Sequence, residues 1–437
     1  MTLVYGRSGF VNRFLQGIFG LPEPPLRILY TTGGIILAHV FYNFPVALRL
    51  LSDLSGVWPD NELKAARSLG AGPFRAAATV LLPALWPGLL AALVLIFLYC
   101  FLSFAVVLVL GGGPAGATLE VELYRAVRFD FNPDRAAALI LLESAVTFPV
   151  LALYLVLDRL NRHGFSPDRR GSTPESPPPG IRIAAALYFA LFALFFLLPL
   201  LAIPVDSLLT RITRGGAETL SLAHYASLFR SAEPAKALFN TAAVALFSST
   251  AAVTLLYPAA RSTALGRQRG TGGDLWGPLI LALPLGFSSL ALGTGLLHFK
   301  VLLPGAGSLP LLTAAHTALA LPLAWRILGP AAASLPASLL RAGELHAPPL
   351  TRFFRIELPL LFPALASAAA FSFALSAGEV NAALLFSGPG FPTLPVTVYR
   401  LIGAYRYGEA SALGTLLIAT SFLALGFLEL AGKRGTG

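Results

Sequence analysis

Runs of apolar residues about twenty long alternate with short polar stretches along this chain. Nine runs reach the length of roughly 20 apolar residues that a helix needs to cross a ~30 Å hydrocarbon core. They lie near residues 33–52, 84–110, 136–157, 183–205, 236–259, 275–298, 309–328, 360–386 and 410–432. Gly and Pro recur inside them. Membrane helices tolerate both, because neighbouring helices and side chains re-satisfy the freed backbone groups. Residues 1–30 carry Arg7, Arg13 and Arg27 but no apolar h-region, so no cleavable signal peptide is expected.

Composition sharpens this pattern. Of the 437 residues, 56% are hydrophobic and only 12% charged, against about 45–50% and 25% in soluble domains. So few charges cannot cover a soluble fold of this size, and so much apolar material excludes a disordered chain. Cys100 is the one cysteine, which excludes a disulfide framework and any thiolate metal cluster. The net charge of +10 is scattered between apolar runs, as membrane flanks rather than a nucleic-acid patch. The expected fold class is therefore all-α, a polytopic helical bundle in the bacterial cytoplasmic (inner) membrane. If the 49–83 loop is cytoplasmic, the cytoplasmic segments and tail hold 18 of the 31 Lys and Arg residues. That sign predicts a cytoplasmic C-terminus and an N-terminus on the outer side.

The polar, Pro-rich stretch 162–182 reads as a cytoplasmic linker between a first unit, 1–161, and a second, 183–437. The two units repeat each other. His39-x5-Pro45-x3-Arg49 returns as His316-x5-Pro322-x3-Arg326, 277 residues on. Leu82-Pro83-Ala84-Leu85-Trp86-Pro87 returns as Leu358-Pro359-Leu360-Leu361-Phe362-Pro363, 276 residues on. Thr118-Leu119-x4-Tyr124-Arg125 returns as Thr393-Leu394-x4-Tyr399-Arg400, 275 residues on. Three matches in one order at nearly one offset mark a tandem duplication, with both units expected to run in the same direction. The second unit brings six spans and the first only the last three. That asymmetry leads to the expectation that about 100 residues with three further spans lie upstream of Met1.

Each unit carries a distinctive loop ahead of its Leu-Pro. The first contains Glu62, Ala65, Ala66, Gly70, Phe74 and Pro83. Good helix formers run from Glu62 to Leu69, small Ala marks one turn, and Gly70 offers a C-terminal stop. A short helix with an Ala face suits docking in a groove on a cytoplasmic partner. The second loop, with Arg341, Ala342, Glu344, His346 and then Pro359, holds the equivalent place. Short helices are expected at 60–74 and 336–350.

These loops resemble the EAA loops of ATP-binding-cassette importer permeases, whose coupling helix fits a cleft on the ATPase. Ala65, Ala66, Gly70, Phe74 and Pro83 match in the first copy, and Ala342 and Pro359 in the second. There His346 replaces the glycine and Arg341 an alanine. Two such units in one chain are similar to the fused permeases of thiamine (and thiamine pyrophosphate) and ferric-iron importers. The segments that carry the thiamine-type likeness include Val4 to Gly9, Gly34 to Pro45, Leu110 to Pro114, Asp130 to Ala137, and Ser376-x-Gly378-Glu379. The resemblance implies the type I importer permease fold. It further implies two copies of a cytoplasmic ATPase as partners, an extracytoplasmic solute-binding protein, and surrounding lipid, with thiamine or ferric ion as cargo.

Other chemistry finds no support in the sequence. Gly111-x-Gly113-x-x-Gly116 matches a dinucleotide fingerprint but follows a membrane span, with no βαβ unit around it. No G-x-x-x-x-G-K-[ST] occurs, so ATP hydrolysis belongs to a separate subunit. The six histidines form no H-x-x-x-H or HExxH box. No catalytic triad, metal site or cofactor is expected, and the chain reads as a non-enzymatic transport subunit. Ionisable and polar residues inside spans are the remaining candidates. His39 and Asn43 share a helix face, His316 is the repeat partner of His39, and Glu379 interrupts an apolar run. Each fits a transport pathway, and each equally fits helix-to-helix hydrogen bonding. An ion-coupled secondary transporter is the alternative architecture, but it has no use for two equivalent docking helices.

Overall fold

The computed structural model describes residues 1–54, 59–111, 116–163, 179–211, 218–268, 280–302, 305, 307–336, 338, 343, 345, 348–388 and 390–434. The chain clusters into two units, Met1–Leu200 and Leu201–Gly437. Among the described residues, eight helices are long and apolar enough to cross a membrane, and a bent pair makes up to nine.

The first unit opens with two short helices, α1 (Thr2–Tyr5) and α2 (Phe10–Phe19). Asn12 is fully buried and fixes them. Its Nδ2 donates to the carbonyls of Gly6 and Leu26, both at 2.8 Å, and its Oδ1 accepts from Leu26 N at 2.9 Å. The chain then enters α3 (Thr32–Asp53), capped by Thr31, whose hydroxyl accepts from Gly34 N. Next come α4 (Asp60–Ser68), α5 (Pro73–Ala76), a π turn (Ala77–Leu81) and α6 (Leu82–Phe101). Three short steps follow: α7 (Ala105–Leu110), α8 (Leu119–Arg128) and the long α9 (Pro133–His163). Helix α6 packs on α9 and α3 around Leu95, Leu98, Phe104, Leu123 and Leu151. The N-terminal part of α10 (Pro179–Leu208) closes the unit with an aromatic layer. Phe192 and Phe196 lie against Phe44 and Phe41 of α3, at centroid distances of 3.8 and 4.9 Å.

In the second unit a two-stranded antiparallel ribbon, β1 (Leu209–Arg211) and β2 (Glu218–Leu220), precedes α11 (Ala223–Leu228) and α12 (Ala232–Gln268). A 3-10 turn (Leu283–Gly286) leads to α13 (Ser289–Leu302), then α14 (Ser308–Ala333), α15 (Pro349–Arg352) and a second π turn (Phe353–Glu357). The chain finishes with α16 (Leu358–Gly378), α17 (Asn381–Phe386), α18 (Leu394–Gly403) and α19 (Tyr407–Arg434). The centre is a three-helix junction of α12, α14 and α16, where Ala260, Ala324, Ala332 and Ala368 are fully buried beside Leu256, Leu328 and Leu361. Small residues let helix backbones approach closely. That matters in lipid, where burying apolar surface supplies no net drive between helices.

Three of the expected spans differ from the structure. The runs 84–110 and 360–386 are not single helices: α6 stops at Phe101 and α16 at Gly378, and short helices α7 and α17 resume at Ala105 and Asn381. Polar groups, Ser103 in one and Glu379 in the other, stand where the axis breaks. The run 275–298 is described from 280 onward, and its two helical pieces, Ile280–Gly286 and Ser289–Lys300, meet at 102°. The expected linker 162–182 lies mostly outside the described residues, and its last residues belong to α10.

Local structure repeats with the sequence. Both π turns sit directly before a Leu-Pro, at 77–81 and 353–357. Proline lacks an N–H and its ring crowds the carbonyl four residues back. Each unit absorbs this with one widened turn, in which Leu82 N bonds Ala77 O and Leu358 N bonds Phe353 O. The helix breaks recur too, and so do the short helices α8 and α18 that follow.

Candidate functional site

Helix α4 carries the first of the loops identified from sequence. Asp60 and Glu62 occupy its first turn and Arg67 its last, the favourable arrangement for the helix dipole. Gly70 ends it at φ +83, where Gly70 N bonds Arg67 O and Ala71 N bonds Ala66 O. A side chain at this position would be strained by 1–2 kcal/mol or so. No residue of α4 is buried. Ala65 and Pro83 are exposed and Ala66 half-buried, and beyond the cap Leu69 and Phe74 are 89% and 91% exposed. A nine-residue helix is marginal alone in water, so this one presents bare apolar side chains on a scaffold that gains from being covered. Of the second loop, Arg341, Ala342, Glu344 and His346 lie outside the described residues. Pro359 is described and exposed at the head of α16.

The structure adds a group that sequence reasoning passed over. Glu357 closes the second π turn and is 2% exposed. Its Oε1 lies 3.1 Å from Arg261 Nε and 3.0 Å from Arg352 Nε, and its Oε2 accepts from the hydroxyl of Tyr257. Arg352 comes from the same loop, whereas Tyr257 and Arg261 sit one helical turn apart on α12. The carboxylate thus ties the end of the loop to a spanning helix. The Tyr257/Arg261 spacing was visible in the sequence, but a partner 96–100 residues away was not.

A second buried cluster surrounds the break between α16 and α17. His316, on α14, places Nδ1 2.7 Å from Ser376 Oγ and Nε2 3.2 Å from Glu379 Oε2. The tautomer protonated at Nε2 serves both contacts: the carboxylate faces N–H, and Ser376 donates to Nδ1. Glu379 also caps α17, accepting from Asn381 N at 2.9 Å and Ala382 N at 3.1 Å. Asn381 Nδ2 in turn donates to Ser289 Oγ on α13. Two of the four candidate pathway residues therefore come together and hold a broken helix open. Each has its polar partners inside the protein, with only 3% and 10% side-chain exposure.

The equivalent site in the first unit has diverged. Asn43 Nδ2 donates to Cys100 Sγ at 3.3 Å, so the bond between α3 and α6 sits one turn along from His39. The Nε2 of His39 is buried without a hydrogen-bond partner. Among the described residues, no group of three or more His, Cys, Asp or Glu is placed to hold a metal ion.

Known proteins match this architecture along nearly its whole length. The family described as binding-protein-dependent transport system inner membrane component matches residues 25–163. The thiamine transport system permease protein ThiP of Brucella abortus is 30% identical over 425 residues, covering 95% of this chain and 74% of its own length. ThiP of Escherichia coli is 31% identical over 444 residues, with 98% and 77% covered. ThiP of Haemophilus influenzae is 28% identical over 429 residues, again with 98% and 77% covered. Apolar helices of membrane-spanning length, a duplicated loop-and-Leu-Pro element and relatives at this identity converge: the chain belongs to the family of binding-protein-dependent transport system inner membrane components, the non-catalytic, multi-pass permeases of ATP-binding-cassette importers.

Proposed function

We propose that this permease carries thiamine inward across the cytoplasmic membrane, powered by two copies of a separate cytoplasmic ATPase and supplied by an extracytoplasmic solute-binding protein. The observation that carries the substrate is the 30–31% identity to thiamine transport permeases over 95–98% of the chain. In this reading the C-terminus and the 60–74 and 336–350 loops face the cytoplasm. Each loop receives one ATPase subunit. Leu69, Phe74 and the Ala65/Ala66 face fill a groove on that subunit, which explains apolar side chains left bare on a marginal helix. Movement of the second loop passes through Glu357 to α12. The His316–Ser376–Glu379 cluster keeps the α16–α17 break in shape beside the pathway. His39 and Asn43 hold the corresponding place in the first unit.

The units 1–161 and 183–437 each supply one half of the pathway. Selectivity rests mainly with the binding protein, so the pathway itself holds its cargo weakly. The test is reconstitution of the permease with its ATPase and binding protein in proteoliposomes, measuring ATP-dependent uptake of radiolabelled thiamine against ferric ion. Thiamine uptake that requires both partners supports the assignment. Uptake of ferric ion alone, or thiamine uptake driven by an ion gradient without ATP, overturns it.

A further inference from the structure

Three non-glycine residues among those described adopt positive φ, and all three are aromatic: Tyr30 (φ 64), Phe131 (φ 49) and Tyr405 (φ 59). For a bulky residue this conformation is an outlier that calls for an explanation. Their positions agree as well. Each stands two residues before the first residue of a spanning helix, Thr32 of α3, Pro133 of α9 and Tyr407 of α19. Phe131 and Tyr405 occupy equivalent places in the two repeats. The residues between are fixed: Thr31 Oγ accepts from Gly34 N, Asn132 Oδ1 accepts from Arg135 N, and the Arg406 guanidinium pairs with Glu409.

A hydrophobic residue just ahead of a helix cap ordinarily packs on the fourth residue of that helix, as a staple. These three do not. The left-handed turn swings them out, and they are 59%, 79% and 80% exposed. Strain and bare aromatic surface both disfavour the folded chain, so their use lies outside it. In the orientation proposed above, α3, α9 and α19 all enter the membrane from the outer side, which places the three rings at the outer ends.

We propose that Tyr30, Phe131 and Tyr405 are aromatic anchors for the solute-binding protein. This rests on the importer reading above. Exposed aromatics inside a polar rim are the usual make-up of a protein-binding surface. Here the rim is present: Arg135 bridges Asp130 and Glu122 beside Phe131, and Arg400 pairs with Glu233 near Tyr405. Lipid-headgroup anchoring is the competing use of such rings, but it favours Trp and Tyr with a polar tip. Phe131, the ring set in the charged network, has no such tip.

Glycine accepts positive φ, so replacing these residues with glycine removes the ring while relieving the backbone. The experiment measures the Kd of the thiamine-loaded binding protein for the permease–ATPase complex in nanodiscs. It compares wild type with Phe131→Gly, Tyr405→Gly, Tyr30→Gly and the Phe131→Gly/Tyr405→Gly pair. The expected result is a Kd weakened about tenfold or more in the double variant. ATPase activity without binding protein should be unchanged, and the melting temperature equal or higher. A Kd within about twofold of wild type overturns the proposal. So does an unchanged Kd with a melting temperature that shifts only with headgroup composition, which assigns the rings to lipid. If the wild-type complex neither binds nor responds to the binding protein, the importer reading falls instead.

Discussion

Glu357→Gln is the sharpest test of how the second loop is held. The substitution keeps shape and one acceptor for Tyr257 but leaves two guanidinium groups, Arg261 and Arg352, without their counter-charge. Each Nε–Oε1 distance is close to 3 Å, which at an effective dielectric constant of about 20 gives roughly 5 kcal/mol of attraction per pair before desolvation. Breaking a buried pair by removing one partner typically costs 3–5 kcal/mol. The arginines are 28% and 14% exposed against 2% for the glutamate, so water recovers part of that loss. The expected destabilisation is therefore about 2–4 kcal/mol. A double-mutant cycle of Glu357→Gln with Arg261→Gln, read by denaturant unfolding of the permease in bicelles, isolates the pair. A coupling of about 1–3 kcal/mol is expected, since the membrane-inserted unfolded state also finds some partners. Coupling below about 0.5 kcal/mol would refute the claim that this carboxylate ties loop to helix.

Gly70→Val places a β-branched side chain at φ +83. It should abolish binding-protein-stimulated ATPase activity while the purified permease remains inserted and folded by circular dichroism. Retained coupled transport would remove the docking role from α4. Ala324→Leu forces two extra carbons and a branch into the fully buried α12–α14–α16 junction, for an expected loss of about 1–3 kcal/mol seen as a lower unfolding midpoint. Asn12→Leu removes three side-chain bonds to backbone at a fully buried site and should cost about 2–4 kcal/mol. Accelerated proteolysis within residues 1–30 is the direct readout, and wild-type resistance there would mean the bonds contribute little.

Much of the functional reading was legible because it depends on short-range pattern. The helix from Glu62 and its stop at Gly70 follow from propensity and one left-handed residue, and α4 ends as that reasoning requires. The His39/His316 equivalence rests on spacing alone. What each histidine does is decided elsewhere: His316 meets a serine and a glutamate 60 and more residues away, whereas the first unit joins α3 to α6 through Asn43 and Cys100. No local signal separates these outcomes. The two sites differ in what a neighbouring helix brings to the break.

Sequence by itself determined a membrane protein of duplicated helical units, since hydrocarbon demands runs of about twenty apolar residues and forbids most charge. It determined the Leu-Pro junctions as well, because proline perturbs its own helix wherever it occurs. Only the tertiary structure decided where the apolar runs break. Breaks at Ser103 and Glu379 are stable because other helices satisfy the freed polar groups: Glu379 takes its bonds from α17 and its contact from His316 on α14. It alone brought Arg261 and Tyr257 of α12 to Glu357, because a buried charge persists only where distant partners converge on it. The outward set of Tyr30, Phe131 and Tyr405 is likewise a matter of backbone geometry. Hydropathy scores such residues as apolar, with no record of the turn that exposes them.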